Sequence, residues 1–398
     1  MFFCDPPGHT GPEYLLTLSS DKIKKNDFVF FHDQEPVDDL LYFQLFDDVI
    51  FRNWDLLLSK LPEKPYIRNN SYITWPSEQI KLGFYNQFHD QHNKDVRDFF
   101  RYNHDDFIRF KQANSKYFDI GHIIVSERGE FVSRVCQQYG WQSHYYFYHG
   151  WACLDWFRGY NRSFLIPRAR DRTPKKTFMS PNRIIAGKRD HRVLFLYNVF
   201  KNELQNNHIS APRNCPVENI DITSIAKKYT NVYQDIVQVF DHAQLPRNFS
   251  GEGTHNMASC WLTNFSEAAD SLVYVPTETV YFGPRLHITE KTFKAIALEM
   301  PFVLVAPAGS LAYLREYGFR TFDAVFDESY DLETDDIGRI ERVTQLLKDL
   351  NNLSVHERQQ IHQACIPIVE HNYNHFYGGE FANILWKELV DMLEGLRV

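Results

Sequence analysis

No apolar run in this chain approaches the roughly 18 residues that a membrane-spanning helix needs, so no membrane partner is expected. The opening Met1-Phe2-Phe3-Cys4-Asp5-Pro6-Pro7-Gly8 lacks both the basic stretch and the apolar core of a secretory leader, and a cytoplasmic location is expected. Cysteine is scarce and scattered. The six residues Cys4, Cys136, Cys153, Cys215, Cys260 and Cys365 form no CxxC pair and join no His/Cys cluster at zinc spacing. They read as buried or incidental thiols in a reducing compartment. Several catalytic signatures are missing as well. There is no GxxxxGK[ST] run, no convincing GxGxxG, no HExxH and no recognisable Ser-His-Asp order, which removes the footing for P-loop kinase, metalloprotease and hydrolase readings. Repeats and low-complexity tracts are absent too.

What the chain does have is apolar and aromatic material in quantity. Its 398 residues exceed one typical core, and 33 Phe and 22 Tyr supply enough for two. Charge is unevenly placed on this body. Eleven Lys and Arg fall between Arg158 and Arg192 against Asp171 and Asp190 alone, so that segment carries +9 and the rest of the chain −17. A basic strip on an acidic body points to a local polyanion site, or else to a solvated linker.

Short apolar runs alternate with helical patterns. Asp27–Phe31, Val49–Phe51, 120–125 and 143–148 read as strands in the first half, with a long amphipathic helix over 89–112. Residues 159–177, with Pro167, Pro174 and few apolar anchors, read as an interdomain linker. A second series follows, with strands at 177–180 and 271–275 and helices at 191–204, 310–317, 335–350, 355–372 and 380–396. The stretch 206–255 reads as irregular. Strands separated by helices mean βαβ units and mainly parallel sheets. The expected fold is therefore α/β: two Rossmann-like domains, 1–165 and 166–398, facing a cleft, with the last helix packing back on the first domain.

The densest signal is Thr289-Glu290-Lys291, which opens an amphipathic helix leading through Pro301 into the apolar run Phe302-Val303-Leu304-Val305. Thr289 suits a helix cap, the free amides of the first turn attract anions, and Lys291 adds a full charge there. Glu290 can accept from sugar hydroxyls. The alternative is an ordinary capped helix with a surface lysine. A second anion seat is read from Arg183, Lys188, Arg189, His191 and Arg192, a basic loop running into another helix start. In open parallel sheets ligands sit beyond the carboxyl ends of strands, and the remaining polar clusters fall at such exits. His32-Asp33-Gln34-Glu35-Pro36 brings two carboxylates fit for general-base work, although Asp33 is equally suited to cap a helix. Glu127, beside Ser126 and Arg128, and Asp155, among Trp151, Trp156 and Phe157, are further candidates for that base. His149 and Trp151 open that aromatic stretch and Arg158 ends it; its exposed rings suit stacking on a sugar or base, and core packing is the alternative.

These residues resemble known enzymes. The segment from Ile288 to Val305 resembles the donor motif of the α1,3-fucosyltransferase family, and the C-terminal part is similar to the donor domain of GT-B glycosyltransferases. The pieces His32–Pro36, Ser126–Arg128, Tyr148–Trp151, Asp155–Arg158, Asp190–Arg192, Gly318–Phe322 and Asp327–Asp331 resemble phage glycosyltransferases that modify DNA. The resemblance implies transfer of a sugar, a pentose such as arabinose, from a nucleoside diphosphate to hydroxymethylated cytosine, in the cytoplasm of the infected host. Under it the co-substrate is a UDP-sugar first and a GDP-sugar second, with no metal and no tightly bound cofactor. Arg183, Lys188, Arg189, His191, Arg192, Thr289, Glu290 and Lys291 then hold the donor. Asp33, Glu35, Glu127 or Asp155 activates the acceptor hydroxyl, and His32, His149, Trp151 and Arg158 contact the acceptor, including duplex DNA. A glycan, lipopolysaccharide or small-molecule acceptor is the second reading, and a non-catalytic α/β binding protein the third.

Overall fold

The computed structural model describes residues 30–32, 122–130, 133–134, 142–157, 160, 166–216, 219–249 and 262–395. The strand expected at 49–51, the helix at 89–112, the carboxylates Asp33 and Glu35, and Arg158 lie outside the described residues. The fold is mixed α/β, and by contacts the chain divides into two compact units, 1–156 with 382–398, and 157–381.

In the first unit β1 (Phe30–His32), β2 (His122–Val125) and β3 (Gln142–Tyr145) form a parallel sheet in that order, with His32 opposite Val125 and Val125 opposite Tyr145. Helix α1 (Tyr148–Phe157) starts three residues after β3. The strand expected to run to 148 therefore stops at Tyr145, and His149, Gly150 and Trp151 belong to the first turn of a helix. Ser126, just past β2, accepts from the His149 N–H at 3.1 Å, giving one of the orphan amides of that turn a partner.

The second unit opens with a segment that is tied down from residue 166 onward. Ala169 donates its N–H to Glu299 at 2.9 Å and accepts from His362 Nε2 at 2.8 Å, so this part of the expected linker is anchored by hydrogen bonds that a sequence does not display. In this unit β4 (Lys176–Ser180) is followed by α2 (His191–Lys201), β5 (His208–Ile209), α3 (Ile222–Ile225), α4 (Tyr233–His242), α5 (Phe265–Asp270) and β6 (Ser271–Tyr274), and the three strands form a parallel sheet. Strand order is β5-β4-β6, and Phe302 and Val305 bridge in parallel to Tyr274 and Thr277 at the far side of β6. Every residue of β6 is buried, which is why Leu272, Val273 and Tyr274 follow one another without polar alternation. The region expected to be irregular, 206–255, contains α3 and α4. Ile236 and Phe240, one turn apart, are buried, and the Phe240 ring meets Phe200 of α2 edge-on at 6.1 Å.

Helix α6 (Glu290–Ala297) carries the donor-like motif, and α7 (Ser310–Glu316), α8 (Asp336–Asn352), α9 (Val355–Tyr377) and α10 (Glu380–Gly395) complete the chain. Phe293 of α6 packs on Phe319, Phe376 and Phe381, with ring centroids 5.5–5.8 Å apart. Gly318 turns the chain there at φ +88°, and a Cβ on it would lie 2.7 Å from the His375 ring, so only glycine fits. Among the described residues no helix is long and apolar enough to cross a membrane.

Candidate functional site

Leaving β4, the chain goes first to β5 on one side and then to β6 on the other, so the order reverses between β4 and β6. Such a reversal leaves a crevice beyond the carboxyl ends of the two strands. Asn182 follows β4 and Thr277 follows β6, and the Thr277 hydroxyl donates to Asn182 Oδ1 at 3.0 Å. Asn182 is itself held by Ser180, which accepts from its Nδ2, and by Ser210, which accepts from its N–H at 2.8 Å. The floor of the crevice is thus a closed polar network in a buried setting, the condition under which such groups are tolerated.

The next residue on the β6 side is Glu278, fully buried. Thr289 donates its N–H to Glu278 Oε1 at 3.2 Å and its hydroxyl to Oε2 at 2.5 Å, and the Thr292 hydroxyl donates to Oε1 at 2.6 Å. This carboxylate therefore fastens the first turn of α6 to the exit of β6. Thr289 is the N-cap of α6, its Oγ1 accepting from the Lys291 N–H at 3.5 Å. The Lys291 ammonium sits over that end and donates to Thr279 at 2.9 Å, Thr289 at 3.0 Å and Glu290 at 3.0 Å. Its side chain keeps 23% of its surface in solvent. A cation and a helix N-terminus coincide at one accessible point, an arrangement suited to a phosphate.

His191 and Arg192 meet the same residue from α2. His191 Nε2 donates to the Glu278 carbonyl at 3.0 Å, and its ring stacks on Tyr281 at 4.6 Å with the planes 9° apart. Phe282 closes edge-on against both rings. Burial pushes the Tyr281 hydroxyl above its ordinary range, with the Arg339 guanidinium opposing. Arg192 is buried and donates to the carbonyls of Ile184 and Thr277, each at 2.6 Å, and to that of Glu278 at 3.3 Å. Asp190, one residue before α2, accepts from the Tyr229 hydroxyl at 2.8 Å and pairs with Lys228, whose ammonium also lies over the Tyr229 and Phe282 rings.

His191, Arg192, Thr289, Glu290 and Lys291 thus converge around Glu278. Arg183 and Arg189 lie half-buried on the loop between β4 and α2, and Lys188 is on the same loop with its side chain outside the described set. In the first unit Ser126 and Glu127 are buried beyond β2, and Ser126 joins them to His149 of α1, also buried. Arg128 lies with its guanidinium carbon 4.6 Å from the Tyr145 ring centroid. The side chains of His32, Trp151 and Asp155 are outside the described set. Glu278 and Thr279, which hold the seat together, were not among the expected site residues. Their signal was an acid set between two threonines just past the buried run 272–275, where a charge must find donors. Among the described residues no three His, Cys, Asp or Glu side chains converge to hold a metal ion.

The chain matches no protein-family model, no curated protein and no solved structure.

Proposed function

We propose that this chain is a GT-B glycosyltransferase, built on two Rossmann-like domains, that moves a sugar from a nucleoside diphosphate to a hydroxyl group. The observation that carries the reading is the Lys291 ammonium at the α6 N-terminus, held by Thr279, Thr289 and Glu290 beside the reversal of strand order. There it would offset the negative charge that develops on the departing diphosphate, the largest electrostatic demand of such a reaction. Arg183, Lys188 and Arg189 on the adjacent loop add positive charge, and Glu290 would take the sugar or ribose hydroxyls. Asp33 is the first choice for the base that removes the acceptor proton, with Glu35, Glu127 and Asp155 behind it.

The acceptor we favour is a hydroxymethylated cytosine in phage DNA, which would have to leave the base stack to be reached. A specific observation favours a second acceptor class, a glycan or small molecule. Arg168, Arg170, Arg172 and Arg192 of the basic strip are engaged by Glu299, Glu370 and backbone carbonyls, which reduces the charge open to a DNA backbone.

Incubation with UDP- and GDP-sugars together with hydroxymethylated DNA, plain DNA or free sugars, followed by digestion and mass measurement, tests both readings. A pentose or hexose mass on hydroxymethylcytidine is the expected result. Mass gain only on a free sugar would move the acceptor to the second class. No transfer from any donor, combined with no thermal shift by UDP or GDP, would overturn the enzyme reading. At a hundredfold excess over Kd a bound nucleotide should add about 2.7 kcal/mol of stability, and Lys291→Ala should weaken binding about 30-fold by removing a charge-assisted contact.

A further inference from the structure

We infer that Glu278 is a positioning residue for the diphosphate seat, acting through Thr289 on Lys291. The inference rests on the donor-site reading above and assigns a role within it to a residue that never touches the ligand. Both oxygens of the buried Glu278 carboxylate face donors from one turn of α6: the Thr289 N–H, the Thr289 hydroxyl and the Thr292 hydroxyl. A hydroxyl has one proton and two lone pairs. With its proton given to Glu278 at 2.5 Å, Thr289 Oγ1 can only accept on its other side. The groups waiting there are the Lys291 N–H at 3.5 Å and the Lys291 ammonium at 3.0 Å. Hydrogen bonds therefore run in one direction, from ammonium to hydroxyl to carboxylate, and Glu278 fixes that direction.

The consequence reaches the ligand through the three N–H bonds of Lys291. Thr279 and Thr289 take two of them from the protein side, at 2.9 and 3.0 Å. The third, on Glu290 at 3.0 Å, is the one a phosphate oxygen takes. In Glu278→Gln a carboxamide N–H would face Thr289 Oγ1 and turn the hydroxyl proton outward, against the Lys291 donors. The side chain keeps its shape and the hydrogen-bond direction is reversed.

Calorimetric binding of inorganic pyrophosphate, UDP and GDP to the full chain tests this. Glu278→Gln and Thr289→Val are each expected to weaken binding about tenfold. The double variant should be no weaker than either single one, because both changes break the same relay. Thr289→Ser, which returns the hydroxyl, should recover most of the loss seen with Thr289→Val. Losses that multiply in the double variant would overturn the inference, and so would Glu278→Gln binding as tightly as wild type. Equal affinities for Thr289→Val and Thr289→Ser would overturn it without requiring Glu278→Gln to fold. A wild-type chain that binds none of the three probes would overturn the donor-site reading and this inference together.

Discussion

Arg192 stands in the first turn of α2, where a cation meets the positive end of the helix dipole and is ordinarily unfavourable. Buried carbonyls of Ile184, Thr277 and Glu278 hold it there. Arg172 is likewise held by carbonyls, at the C-terminal end of α6, where the dipole favours a cation. It donates to the carbonyls of Leu298 at 2.6 Å and Glu299 at 3.1 Å, just past the helix, and to Pro167 at 2.7 Å. Burial pulls its guanidinium down to about 10, with Glu299 opposing, so it is still charged at neutral pH. Five donors fixed in one plane can serve several carbonyls at once, which a single ammonium cannot. Arg192→Lys is therefore expected to lower the free energy of unfolding by about 2–3 kcal/mol, seen as a lower urea midpoint at unchanged slope. An unchanged midpoint would mean that the three carbonyls do not depend on the guanidinium. The charge of Arg192 was plain from the sequence, but its carbonyl partners come from residues up to 86 positions away, so it read as a phosphate ligand. Glu278 was obscured for a related reason. Its importance comes from three donors on a helix that begins more than ten residues later.

Among the elements, α3 shows how a short helix is stabilised from outside itself. Asp221 caps it, accepting from the Thr223 N–H at 2.8 Å and hydroxyl at 2.5 Å, and pairs with Arg213 at 2.6 Å. Burial pushes the Asp221 carboxyl up, but the bonds from Thr223 and Arg213 outweigh it and hold the group below its ordinary value. A carboxylate depressed in the fold contributes stability that is complete above its unfolded pKa, about 3.9, and is lost as pH falls through the lower folded value. Wild type should exceed Asp221→Asn in unfolding free energy by about 1 kcal/mol at pH 7. That margin should shrink as pH falls below about 4, and a margin constant from pH 7 to pH 3 would contradict the assignment. Strong local signals made β4, α2, β6, α6 and the four closing helices legible: apolar runs for the strands, and 3.6-residue periodicity, with Thr289 as a cap for α6, for the helices. α4 was not legible in the same way, because Ile236 and Phe240 are its only buried positions and the ring that Phe240 meets, Phe200, belongs to another helix. The same reasoning extended β3 into α1, where Gly150 breaks the helical pattern and the cap, Ser126, is 23 residues upstream.

For the molecule as a whole, the uneven charge decides what a polyanion can do. The net charge of −8 gives no general attraction to DNA, so under the proposed DNA acceptor the backbone contacts are expected from the Arg158–Arg192 strip. Of its eleven cations, Arg172 and Arg192 are buried on carbonyls, Arg168 is paired with Glu299 and stacked on Tyr373, and Arg170 is paired with Glu370. No more than the other seven can then release counterions from a duplex. Each neutralised phosphate contributes about −0.9 to the slope of log Kobs against log salt. Seven contacts set a limit of about −6 and all eleven would give about −10. Fluorescence anisotropy with a hydroxymethylated duplex between 50 and 200 mM salt should therefore give a slope no steeper than about −6. Arg168→Ala should leave that slope unchanged, since its charge already faces Glu299. Lys176→Ala, whose side chain has solvent access, should make it shallower by about one. A slope near −10, or one that falls with Arg168→Ala, would mean that the internal pairs open to meet DNA and that the strip acts as a unit. A slope near zero would remove the strip from DNA contact and leave the glycan or small-molecule acceptor as the reading to pursue.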